Sequence, residues 1–158
     1  MTWMGWLTAV ASVVLGGVFF AFSSFVMPAL GNLQPEEGIR AMQRINIDVF
    51  CGSFSALFFG LPVAFFGLGV SALVTLPPAD SSYWVVGSVV YLVGCLLVTG
   101  LANVPLNNSL ARLNSDAAGA SAQWQNYVLV WTRWNHVRGL ACLLAGLCYL
   151  VAGFGYLG

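Results

Sequence analysis

The chain has 158 residues, enough for one domain, with a hydrophobic content of 59%, only 6% charged residues and a formal net charge of zero. Soluble domains carry about 25% charged residues, so this composition, which includes no lysine, excludes a soluble globular protein. Neutrality also excludes a nucleic-acid surface, which needs a basic stripe.

The apolar runs predict an all-α fold: a four-helix transmembrane bundle with a short helical cap on one membrane face. The spans are expected at about 3–30, 49–76, 83–102 and 137–157, joined by polar connections 31–48 and 103–136, all within one integral membrane domain. The first span lacks the basic start and short apolar core of a secretory signal and is expected to stay as a transmembrane helix. Ser12, Gly16, Ser23 and Met27 recur along it at steps of four and seven, a small, slightly polar stripe suited to close helix contact. Pro28 and Gly31 end it.

In the first connection, Pro35 followed by Glu36 and Glu37 marks a helix start, with acids at the positive end of the dipole. Glu36/Arg40 and Arg44/Asp48 stand four apart and support that helix. Met42, Ile45 and Val49 give it an apolar face, which fits either an interfacial helix or an extension of the next span. Pro62 is expected to kink the second span. Tyr83 and Trp84 anchor the third, and Val104 before Pro105 predicts a kink or break there. A short helix with Leu106, Leu110 and Leu113 follows, then an exposed loop, 114–121.

Residues 124–138, WQNYVLVWTRWNHVR, hold two of the five arginines, the single histidine, two asparagines and three of the six tryptophans. Wound at ~100° per residue, Tyr127, Trp131, Trp134, Asn135, Arg138 and Cys142 share one arc, with Thr132, Arg133 and His136 opposite. A charge carried into hydrocarbon turns to the bundle interior and finds a partner, which assigns the Trp131/Asn135/Arg138 face inward. The alternative is that the tryptophans anchor at the interface and Arg138 snorkels to lipid phosphates. Asp48, at the entrance of the second span, is the expected partner of Arg138, with Arg44 competing for it one turn back.

Cys51, Cys95, Cys142 and Cys148 show neither C-x-x-C nor zinc spacing and are expected to behave as small hydrophobes. One histidine with scattered cysteines makes no metal ligand set, and heme on His136 alone stays open. No glycine-rich nucleotide fingerprint occurs. Basic residues near span ends, Arg40, Arg44, Arg112 and Arg133, put both polar connections in the cytoplasm and both termini outside.

NVPLNNSLARL at 103–113, followed by W-x-x-Y-x-x-x-W-T-R-W-N-H-V-R-G at 124–139, resembles the anthrone oxygenase-like family of small four-span membrane proteins, many of them bacterial. FFAFSSFVMPAL at 19–30 and AMQRIN at 41–46 extend the resemblance over nearly the whole chain. It implies a bacterial inner-membrane protein, and oxidation of an anthrone to an anthraquinone with dioxygen, as in fungal members. Its specific parts are Asn103, Pro105 and Asn107, and Trp134, Asn135, His136 and Arg138.

Two function classes fit. The first is an oxidoreductase acting on a flat, hydrophobic phenolic, anthrone- or quinone-like molecule, with dioxygen as co-substrate and no cofactor required by the chemistry. It needs a base, donors for a developing oxyanion and an aromatic pocket. His136, Asp48 and Arg138 are the candidate catalytic residues, and Asn103, Asn107, Trp131, Trp134 and Asn135 the candidate substrate-binding residues. The second is a non-catalytic membrane module that binds a lipid or small hydrophobe or helps a partner assemble, as a homo-oligomer or with another protein. A transporter fits less well, because no internal repeat is present.

Overall fold

The computed structural model describes residues 2–155, and these are helical nearly throughout. The helices are α1 (Thr2–Gly31), α2 (Pro35–Asp48), α3 (Gly52–Thr75), α4 (Pro78–Ala111) and α5 (Ala120–Phe154). All except α2 are long and apolar enough to cross a membrane. The 24 residues of α3 rise ~36 Å, against ~30 Å of hydrocarbon. The protein is an integral membrane four-helix bundle.

Local chemistry sets the helix starts. Gln34, with extended backbone, precedes Pro35 at the first helical position, and Glu36 and Glu37 occupy the first turn of α2; Pro77, Pro78 and Asp80 repeat that pattern in α4. Proline fits there because its missing N–H has no intrahelical partner at that position, and the acids meet the positive end of the dipole. Gly119, at φ 83°, makes the left-handed turn into α5, a conformation that costs glycine nothing.

Of the kink or break expected at Pro105, the structure excludes the break. The helix does not break; it runs from Pro78 to Ala111. Wide π turns at Leu92–Leu97 and Thr99–Asn103 lie just before the proline. In α1 the π turn Phe22–Val26 stands in the same relation to Pro28. Proline removes a donor and crowds the preceding turn, and a π turn accommodates that disturbance without ending the helix. Helix α5 begins at Ala120, and residues 120–136 continue directly into the apolar run as one helix.

Small residues bring α1, α4 and α5 together. A Cβ on Gly94 would stand 2.6 Å from Ala141 Cβ, and one on Gly16 would stand 3.2 Å from Cys142 Cβ. Ser12 Oγ donates to the Cys142 carbonyl at 2.8 Å, and the whole stripe Ser12, Gly16, Ser23 and Met27 is buried. Trp6 packs edge-on against Phe154, so the start of α1 and the end of α5 lie at one end of the bundle. Near the other end, Arg40 pairs with Asp116 at 2.8 Å and donates to Ser115 Oγ at 3.0 Å. Gln43 donates to the carbonyls of Leu110 and Leu113 at 2.8 and 3.0 Å, tying α2 to the chain at the end of α4.

The core divides into two clusters. One gathers Leu15, Phe65, Trp84, Tyr91 and Tyr149; the other gathers Met27, Ile39, Met42, Trp124 and Trp131. A cavity lined by members of both lies between them.

Candidate functional site

The first turns of α3 make room for the cavity. Residues 52–60 contain no buried position, whereas Leu61, Phe65, Leu68 and Ala72 farther along are buried. Pro62 sits at this change. The cavity has a volume of about 220 Å³, larger than the ~150 Å³ that accommodates a single benzene ring. Its walls are Phe19 and Phe22 of α1, Met42 and Ile45 of α2, Phe54, Phe58 and Phe59 of α3, and Trp131 of α5. Its polar lining comes from Asn46, Thr99, Asn103, Asn107 and Arg138.

Arg138 is 6% exposed. Nη2 donates to Asn135 Oδ1 at 2.6 Å and Nη1 to Thr99 Oγ1 at 3.4 Å. The guanidinium lies over the Phe19 ring at 4.4 Å and faces the Trp131 ring at 5.3 Å, both favourable for a cation against π density. Its Nε is buried without a hydrogen-bond partner among the described residues, and neither ion pair found among them involves Arg138. A buried cation of this kind favours an anion or a developing negative charge beside it.

Asn135, fully buried, orients that cation. Its Nδ2 donates to the Phe19 carbonyl and to Ser23 Oγ, both at 2.6 Å, which leaves Oδ1 facing the guanidinium. On the α4 side, Asn107 Oδ1 accepts from Tyr127 OH at 2.9 Å and from Trp131 Nε1 at 2.8 Å, fixing the Trp131 wall. Asn103 Nδ2 donates to the Trp131 carbonyl at 3.3 Å, and its Oδ1 is buried without a partner.

The structure therefore brings Asn103, Asn107, Trp131 and Arg138 around one cavity, with Asn135 behind the arginine. Besides Asn135, which lines the neighbouring groove between α1 and α5, three of the expected site residues lie outside it. Trp134 is 41% exposed: it stands ~60° around α5 from Trp131, where the helix face reaches the surface. His136 is exposed and lines a separate groove between α1 and α5, with Gly16, Ser23 and Gly139. Asp48 is not Arg138's partner. Its carboxylate accepts from Arg44 Nε at 2.6 Å, the two being neighbours on one face of α2, and that bond raises the Arg44 pKa.

The sequence reading missed Thr99 and the aromatic walls from α1 and α3. Thr99 had a signal, standing one helical turn before Asn103 on the same face. The phenylalanines of α3 had none, because phenylalanine in an apolar span reads equally as lipid-facing surface. Among the described residues no group of three or more His, Cys, Asp or Glu side chains is placed to hold a metal.

Fold and site define an integral membrane helical bundle with a half-open cavity walled mainly by aromatic and aliphatic side chains, and with one buried arginine in its lining. A family model described as anthrone oxygenase matches residues 52–148, more than half of the chain, and the protein belongs to that family. The match takes in Thr99, Asn103, Asn107, Trp131, Asn135 and Arg138, and leaves α1 and α2 outside. Neither the curated proteins nor the solved structures provide a match.

Proposed function

We propose that the cavity binds a flat, hydrophobic phenolic, anthrone- or quinone-like molecule with an oxygen toward Arg138, and that the protein oxidises it with dioxygen. Arg138 carries this proposal: a buried cation with no carboxylate partner among the described residues, set between aromatic rings in the lining of an apolar cavity. Losing a proton from the ring methylene of an anthrone makes an enolate, whose oxygen Arg138 stabilises as the charge develops. Dioxygen adds at that carbon and water is lost, so one CH2 and one O2 give one ring carbonyl and one H2O. No acid or histidine lines the cavity, so the departing proton goes to water instead of to a side-chain base.

Oxygen uptake by the detergent-purified protein on adding anthrone, with anthraquinone formed mole for mole, is the test. Uptake no faster than in protein-free detergent overturns the oxidation.

The lack of a side-chain base favours a second proposal, that the cavity binds such a molecule, or another small hydrophobe from the surrounding lipid, without turning it over. Ligand binding without oxygen uptake would select it. Arg40, Arg44, Arg112 and Arg133 support a cytoplasmic position for the α2 end of the bundle under the positive-inside rule.

A further inference from the structure

The groove between α1 and α5 has a volume of about 180 Å³, more than the ~150 Å³ that accommodates a benzene ring. Gly16 and Gly139, both buried, leave its floor without side chains. Its rims are the exposed side chains of Phe20 on α1 and of Leu140 and Leu143 on α5. From Gly16 to Ser23 it follows ~10 Å of helix, room for several methylenes of an extended chain. His136 lines it at the Ser23 end, where the apolar run of α5 begins. Arg133 lies one turn before His136 and within ~20° of Leu140 around α5, so it continues the same rim beyond the end of the groove. Both basic residues are exposed, neither takes part in an ion pair found among the described residues, and no acidic side chain lines the groove. Trp134, half-exposed between them in sequence, marks the level at which aromatic side chains meet lipid headgroups.

We infer that this groove binds an anionic phospholipid, with the phosphate against Arg133 and His136 and part of one acyl chain lying over Gly16 and Gly139. Basic residues at a membrane surface attract anionic headgroups, and the guanidinium fork matches two phosphate oxygens. A floor of glycines lets the chain approach two helix backbones, where dispersion contacts accumulate. Charge favours a lipid over a second copy of the protein. A two-fold pair across this face sets each Arg133 at the same membrane depth as its counterpart, and like charges there oppose association. The groove is separate from the cavity and shares a wall with it. Phe19 lines both, and Asn135 lines the groove while its Oδ1 holds Arg138 on the cavity side. A seated chain braces that wall, so binding reads out as stability.

The test is to strip the purified protein of lipid in dodecyl maltoside and titrate it with dioleoylphosphatidylglycerol, dioleoylphosphatidylcholine or glycerol phosphate. Melting temperature and native mass spectrometry are the readouts. The anionic lipid should raise the melting temperature by about 5 °C or more at saturation and remain as one bound molecule per chain. The zwitterionic lipid with the same chains, and the headgroup without chains, should do neither. Equal shifts from the two lipids overturn the inference with no variant needed, and an equal shift from glycerol phosphate overturns the place of the acyl chain. Arg133→Gln combined with His136→Gln, both at exposed positions, should abolish the preference for the anionic lipid; a preference retained in the folded variant overturns the role of these residues. A lipid-free dimer that Leu140→Arg dissociates overturns the lipid in favour of a second copy. None of these readouts depends on what the cavity binds.

Discussion

Arg138 and Asn135, three residues apart on α5, are joined by a hydrogen bond of 2.6 Å from Nη2 to Oδ1, and Asn135 is tied in turn to α1 through the Phe19 carbonyl and through Ser23 of the π turn. The buried charge is thereby held by an amide, not by a carboxylate. Asn135→Leu removes a hydrogen bond to a charged group, and the expected loss is about 1.5–3 kcal/mol. Arg138→Met strands Asn135 Oδ1 and relieves a desolvated charge, so its loss is smaller. The double variant should lose less than the sum of the two. Strict additivity in denaturant melts of the purified protein would show that the two side chains act independently.

For activity, Arg138→Lys is the informative change. Lysine keeps the charge and loses the planar fork that bonds Asn135 and Thr99 while stacking on Phe19. Oxygen uptake with anthrone should fall by about 100-fold or more, the scale of a lost oxyanion donor. A lysine variant with near wild-type uptake would rule out a positioned guanidinium.

Asp48 and Arg138 should prove uncoupled. Asp48 and Arg44 form an exposed pair on α2, and such pairs contribute little to stability. Asp48→Asn is expected to leave the melting temperature within experimental scatter, with the same result in an Arg138→Met background. A measurable coupling between the two would contradict the placement of α2.

Asn107→Leu removes one acceptor that serves two donors, Tyr127 OH and Trp131 Nε1. Leaving buried donors unsatisfied costs about 1–3 kcal/mol each, so the bundle should be destabilised and the Trp131 emission should shift. Unchanged emission and stability would mean that Asn107 does not hold the cavity wall.

Cys51 occupies the residue just before α3, and the nearby Phe54 backbone N–H and Ser53 hydroxyl lower its pKa. A depressed thiol pKa means that thiolate persists to lower pH. The rate of iodoacetamide labelling should therefore reach half its maximum below the ~8.5 of a free cysteine. Cys95 and Cys142, fully buried, should resist the reagent until the protein is unfolded. A midpoint at or above the free-cysteine value would contradict this helix start.

The sequence by itself determined the class and most of the helices. Four long apolar runs with 6% charged residues admit only a membrane bundle, since the backbone in hydrocarbon must satisfy its own hydrogen bonds. The inward face of Trp131, Asn135 and Arg138 was also legible, because helical periodicity sorts side chains into faces and a charge seeks the interior. Tertiary structure decided which partners those faces meet. Asp48 and Arg138 share an end of the bundle in sequence terms, yet Arg44 on the same helix face reaches Asp48 first. The continuity of α4 through Pro105 depended on the π turn ahead of it, and backbone propensity alone does not distinguish a widened turn from a break. The cavity itself arises where the first turns of α3 are only partly buried against the bundle. An empty volume is set by the distance between helices, and periodicity, which describes one helix at a time, contains no such distance.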